Sequence, residues 1–323
     1  ETGWRWPPPP PPPSPPDLDA TQLRRLRAER ALDQWLDVAR VEPATVELIE
    51  LGQRFRPDLV VSEAFVSAAA LAAEALSVPF VVAGWPATTP KLASGDETLV
   101  NAARQRLHGL LQRFGLRGIN WTADGAPALL SPALHITYWS PRWYAGHELL
   151  PQTQHVGGLA APDAETRPPW PTRDPWVLIT LGTTFNNDPN FFLAAAHAAV
   201  ELGCLPLLAL GSNFGAAQLE DLRARLPGQA ILVATIAFDS ILPNVAAAIH
   251  HGGAGTTHAL VTYAVPQIVV PHAAEQMHQA QGVVRSGVGL YLPAKEVTIA
   301  RLTAALAQAL PDLSPWPAAA QVL

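Results

Sequence analysis

Six short apolar runs fill the later half of this 323-residue chain, each giving way to a polar turn and then to a helical stretch. They are WVLITLG (176–182), LPLLALG (205–211), AILV (230–233), VAAAIH (245–250), PQIVVP (266–271) and VGLYL (288–292). Runs this short and apolar read as strands buried on both faces. The helices between them call for parallel pairing with crossovers. The chain is thereby held to an α/β architecture, with helices on both faces of a parallel sheet. The earlier half repeats the pattern with fewer elements: strands are expected at 58–61, 79–83 and 134–139, and helices over 63–77 and 95–114. Between the halves, PDAETRPPWPTRDP lacks any apolar period and reads as a linker. The expected division is 1–160, a linker over 161–175, and 176–323, the last a full Rossmann-like unit of about six strands.

The chain opens on seven consecutive prolines, Pro7–Pro13, which favour polyproline II and offer no sheet donors. Asp17-Leu18-Asp19 imitates a metal-binding DxD but follows no apolar strand, so it is set aside. LRRLRAER (23–30) reads as the solvated face of a helix. A formal charge of −6 argues against a nucleic-acid partner. No run of eighteen apolar residues predicts a transmembrane segment, and no signal-peptide pattern stands at the start. Cys204, the only cysteine, sits among apolar neighbours and reads as a buried, inert thiol. A cytoplasmic setting is expected. With only two lysines, Lys91 and Lys295, against many arginines, the coding bias suggests a GC-rich bacterial genome.

Polar density concentrates in HHGGAGTT (250–257). A buried strand enters it and a helix, expected over 256–264, leaves it. Strand, glycine turn and helix start aim free backbone N–H groups at one point, and glycines let a ligand approach the main chain. The helix adds about +0.5 charge there. A phosphate or diphosphate fits, with His251 as a further donor, outside the carboxyl ends of the strands. Two other turns converge on the same edge. Gly182-Thr183-Thr184 offers hydroxyls, and Glu275-Gln276 offers a carboxylate beside a carboxamide, which suits adjacent sugar hydroxyls. Five histidines (250, 251, 258, 272, 278) lie close in sequence, but no usual zinc spacing is met and no metal is expected.

HHGGAGTT, then VPQIVVPHAAEQ (265–276), then VVRSGVGLYL (283–292), resembles the donor-binding signature of GT-B nucleotide-sugar glycosyltransferases. The nearest branch is that of the bacterial macrolide and antibiotic enzymes, related to sterol glucosyltransferases and plant UDP-glycosyltransferases. VLITLGTT (177–184), FDSILPNVAAAIHHGG (238–253) and PDLVVSEAFVSAAALAAEALSVPFVV (57–82) are similar to further family segments. The resemblance implies a GT-B fold: two Rossmann-like domains whose parallel sheets face across a cleft, the first binding the acceptor and the second the donor. It implies that His251, Gly252, Gly253, Ala254, Gly255 and Thr256, with Thr183, hold the donor diphosphate, and that Glu275 and Gln276 bind its sugar. Ser212, Ile236 and Phe238 would lie near the nucleotide base. The implied activity is inverting, metal-independent transfer of a sugar from a UDP- or dTDP-sugar to a hydroxyl of a small hydrophobic natural product or lipid. No cofactor is expected.

The chain departs from the family pattern at both ends, and at the later one it stops at PWPAAAQVL, where the resemblance implies a further helix crossing back to the first domain. Nothing before Pro57 matches the family's first strand and glycine–histidine turn, whose histidine is the usual general base. His108, His135 and His147 do not sit in that context, so no catalytic base is assigned. The pattern fits a fragment or a shortened relative that enters the fold after its first strands. Two alternatives stay open: a nucleotide-sugar 2-epimerase of the same architecture, and a non-catalytic nucleotide-sugar-binding protein.

Overall fold

A computed structural model describes residues 18–84, 97–123, 127–157, 175–182, 187–211, 214–272 and 274–310. Its contacts divide the chain into two compact units, Glu1–Tyr138 with His147–Val156, and Trp139–Gly146 with Gly157–Leu323.

The first unit holds α1 (Ala20–Trp35), α2 (Val38–Phe55), β1 (Val60–Ser62), α3 (Ser67–Ala75), β2 (Phe80–Gly84), α4 (Glu97–Phe114), β3 (Leu134–Thr137) and β4 (Thr153–His155). The strands form one parallel sheet in the order β1-β2-β3-β4. Leu32, Leu36, Val41, Leu71, Phe80, Leu107 and Leu110 anchor the core between the sheet and its helices. Asp19 has a structural task. Its Oδ1 accepts from the amides of Thr21 and Gln22 at 2.7 and 2.8 Å, and Gln22 Oε1 accepts from the Asp19 amide, which makes a capping box at the start of α1. Asp17 lies outside the described residues, as does the proline run. Two elements were not expected from the sequence, α2 and β4. The helix expected over 63–77 begins only at Ser67.

The second unit holds β5 (Trp176–Thr180), α5 (Pro189–Glu201), β6 (Leu205–Ala209), α6 (Ala216–Arg225), β7 (Ile231–Val233), α7 (Phe238–Ile241), β8 (Val245–His250), α8 (Ala254–Thr262), β9 (Gln267–Val269), α9 (Ala274–Ser286), β10 (Gly289–Tyr291) and α10 (Ile299–Ala309). All six strands are parallel, in the order β10-β9-β8-β5-β6-β7. Counted within the sheet this is the 3-2-1-4-5-6 order of a doubly wound dinucleotide-type fold.

Side chains alternate between two cores, as the period of a strand requires. Val177, Ile179, Leu208, Ala247 and Ile249 face α5 and α10, where Phe191, Phe192, Leu302 and Leu306 are buried. Trp176, Leu178, Leu207 and Ala248 face the other way, onto Ile241 and Leu260. Helices thus cover both faces, which is why these strands carry almost no polar residue.

Trp139–Gly146 follows β3 in sequence yet packs in the second unit. It contains a 3-10 turn, Pro141–Tyr144. The Trp139 and Trp143 rings stack with centroids 3.8 Å apart and planes 5° from parallel. Trp139 also meets His258 of α8 at 5.2 Å. Trp143 lies against α9 where Gly282 leaves room: a Cβ there would fall 2.1 Å from the indole. Arg285 Nε donates to the Trp143 carbonyl at 3.2 Å.

Candidate functional site

The order of the six-stranded sheet reverses direction between β5 and β8, and ligands in open α/β sheets bind outside the strand ends at such a point. Thr180, the last residue of β5, pairs with His250, the last of β8. Leu181-Gly182 and His251-Gly252 therefore leave the sheet side by side. Both glycines have positive φ, +74° at Gly182 and +90° at Gly252, a region that other residues enter only with strain.

Gly253 is the N-cap of α8 and supplies no side chain. The first helical bond runs from the Thr257 amide to the Gly253 carbonyl at 2.9 Å. The amides of Ala254, Gly255 and Thr256 have no hydrogen-bond partner among the described residues. They are the unpaired donors that every helix start leaves, at the positive end of the helix dipole. The Thr257 hydroxyl is turned inward, onto the Gly253 carbonyl at 2.9 Å.

His250 and His251 project to opposite sides of the strand, with ring planes 90° apart. His250 is fully buried. Its Nδ1 accepts from the Gly252 amide at 3.2 Å, so Nε2 carries the proton and donates to Gln267 Oε1 at 3.0 Å. The Gln267 amide nitrogen reaches the Thr257 carbonyl at 3.4 Å. This chain ties the glycine turn and the first turn of α8 to β9. Burial pushes His250 down to about 3, His251 adds to that, and the Gln267 bond opposes it. The ring is neutral, as the network demands.

His251 occupies a slot made by two missing side chains. A Cβ on Gly182 would lie 2.6 Å from its Cε1, and one on Gly253 would lie 2.4 Å from its Nε2. Its Nδ1 is buried without a hydrogen-bond partner. Burial first, and the field of His272 second, hold it down to about 4, while the Thr180 backbone pulls weakly the other way. At neutral pH it is an uncharged ring beside three unpaired amides.

The turn between β9 and α9 is the third component. The His272 amide donates to Gln276 Oε1 at 2.8 Å, and the His272 ring lies 3.4 Å from Asp188, the N-cap of α5. Gln276 is buried and belongs to this turn. Gln276 also backs the glycine turn: a Cβ on Gly252 would come within 3.1 Å of the Gln276 carbonyl oxygen.

The structure brings together His251, Gly252, Gly253, Ala254, Gly255, Thr256 and Gln276. Thr183 and Ser212 lie outside the described residues, and so does the side chain of Glu275, whose backbone forms the first turn of α9. Ile236 and Phe238 follow β7 on the far side of the sheet, half-buried against the core that holds Trp176 and Ile241. Asp188 and the pairing roles of His250, Gln267 and His272 were not anticipated. A polar Gln267 inside PQIVVP, and the helix-opening Asp188-Pro189, are the signals that could have flagged two of them. In the first unit His135 is buried, its Nε2 accepting from the Ser131 amide at 2.9 Å, while His108 and His147 are exposed. Among the described residues no three His, Cys, Asp or Glu side chains gather as a metal-binding group. No described helix is long and apolar enough to cross a membrane.

Residues 212–323 match the family model described as erythromycin biosynthesis protein CIII-like, C-terminal domain. The chain is 30% identical over 275 residues to an L-demethylnoviosyl transferase of Streptomyces niveus, covering 82% of this chain and 65% of the relative. It is 26% identical over 267 residues to the NDP-glycosyltransferase YjiC of Bacillus subtilis, covering 80% and 66%. The chain thus spans just under two thirds of the length of these curated relatives. Among solved structures, the glycotransferase of kitacinnamycin superposes with a TM-score of 0.72 at 20% identity, covering 90% of this chain and 76% of the other. The spinosyn rhamnosyltransferase SpnG, complexed with thymidine diphosphate, gives 0.67 at 21% identity, covering 93% and 77%. The fold is GT-B.

Proposed function

We propose that this chain, which belongs to the antibiotic glycosyltransferase branch of the GT-B fold, acts in the transfer of a sugar from a nucleoside diphosphate to a hydroxyl of a small hydrophobic acceptor. The observation that carries the reading is the cluster of amides at Ala254, Gly255 and Thr256, without hydrogen-bond partners among the described residues, at the switch point beside His251. An anion is the ligand that satisfies such a cluster. The sugar falls to the adjoining turn that carries Gln276, with Glu275 as its acidic partner. The base falls to the loops after β6 and β7, at Ser212, Ile236 and Phe238, and Thr183 joins the phosphates. One relative is named for transfer of a TDP-sugar and two solved neighbours hold thymidine diphosphate, which supports a dTDP-sugar as the donor.

In the reaction the acceptor oxygen loses its proton to a base and attacks the anomeric carbon from the face opposite the nucleotide. The bond from that carbon to the diphosphate oxygen breaks, and configuration inverts. Negative charge grows on the leaving diphosphate. The first-turn amides and the neutral His251 N–H meet that charge without rearranging, and no cation is needed for this role. One preorganised donor of this kind is worth about 3–4 kcal/mol in a transition state. With no pair of cysteines to oxidise, the chain suits a reducing cytoplasm.

The test is transfer from a dTDP-sugar by the full-length natural protein and by its His251→Ala variant. The variant is expected to fold and to transfer about 100- to 1,000-fold more slowly. Wild-type turnover in the variant would remove His251 from the mechanism.

A further inference from the structure

We propose that Asp188 and His272 act as a positioning pair that fixes the entry into α9, and with it Gln276, against the sugar of the donor. The role toward the sugar rests on the function proposed above; the hold on the turn does not.

The two residues stand 84 positions apart, yet one continuous set of bonds joins them. Asp188 divides its carboxylate. Oδ1 accepts from the Phe191 amide at 3.1 Å and caps α5, while Oδ2 faces His272 Nε2 at 3.4 Å. His272 Nδ1 lies 2.8 Å from the Val270 carbonyl, which can only accept, so that nitrogen carries a proton. Nε2 faces Asp188 Oδ2, a contact that is charged on both sides only when the ring is protonated. The ring is also clamped edge-on by Phe191, at 5.7 Å and 86°. The main chain of His272 completes the path, donating to Gln276 Oε1 at 2.8 Å. The Gln276 side chain is thereby bonded to the residue whose ring Asp188 contacts.

Capping α5 does not account for the arrangement. A cap needs one oxygen, and serine supplies it as well as aspartate does. The second oxygen is free to reach the histidine because the first does the capping. The His272 contact also holds the Asp188 carboxyl below the usual carboxylate range, partly opposed by burial.

Two variants remove only the middle link. Asp188→Ser keeps the cap oxygen and loses the arm to His272. His272→Asn keeps an N–H for the Val270 carbonyl and loses Nε2. Three measurements decide. The first is hydrogen exchange of the residue-272 amide, corrected for its intrinsic rate and expected to speed up about tenfold in each variant, the scale of one ordinary hydrogen bond, with the thermal midpoint almost unmoved. The second is affinity for the best-bound member of a panel of dTDP- and UDP-sugars, set against its bare nucleoside diphosphate. The sugar nucleotide should bind about five- to tenfold more weakly and the bare diphosphate within about twofold of wild type. The third is the double variant, expected to be no worse than either single one, because both break one link. Unchanged exchange, an equal loss for both ligands, or additive losses would overturn the proposal. If wild-type protein binds no member of the panel, the functional reading falls and takes the sugar role with it. The exchange result then still decides whether the pair holds the turn.

Discussion

At the scale of single residues, the two adjacent histidines do different work because a strand turns successive side chains to opposite sides. His250 is spent inside the fold, bonded at both nitrogens, and His251 is kept at the edge by two glycines. Both are held neutral by burial, at about 3 and about 4. Both would titrate near 6.5 in the unfolded chain, so between these values the unfolded state binds more protons. Stability should rise with pH across roughly pH 4 to 6.5 and fall on acidification through the same window. Each histidine contributes up to about 1.4 kcal/mol per pH unit until its folded pKa is reached. The urea midpoint followed from pH 7 to pH 4 checks this, and a flat profile would remove the assigned protonation states. HHGG was legible in the sequence as a site because polar density in an apolar chain is conspicuous. Which histidine serves the fold was not, because that depends on Gln267, a residue on a neighbouring strand.

Among elements, the strands of the second unit were legible because the central ones are buried on both faces and so are written almost wholly in apolar residues. β4 was not: it is a three-residue edge strand, Thr-Gln-His, with no apolar signal. α2 was missed for another reason. Pro43 lies inside it, and a proline there reads as a break. The packing of α9 on Trp143 was equally hidden, since nothing local in 274–286 announces an indole. That contact gives a test in which two effects compete. Gly282→Ala improves helix propensity by about 1 kcal/mol, but its methyl would meet the Trp143 ring at 2.1 Å. Overpacking of this kind costs about 1–3 kcal/mol, so the variant should melt lower than wild type. A higher melting point would mean that the ring yields freely.

On the scale of the molecule, the later unit carries an entire doubly wound sheet, and the proposed donor site lies at its switch point. Thymidine diphosphate should therefore stabilise the protein by mass action, by about 2.7 kcal/mol at a hundredfold excess over Kd. A thermal midpoint indifferent to the nucleotide would count against the amide pocket. The fold could be read ahead of the structure because its strand pattern is local. The make-up of the units could not, because Trp139–Gly146 joins the later unit through tertiary contacts alone. Anyone grafting this later unit onto a related scaffold thus inherits a practical demand. A splice made in the proline-rich stretch after residue 160 would leave the indoles behind and open an apolar notch along α9. The transplant has to bring Trp139–Gly146 along as a second, separately stitched piece.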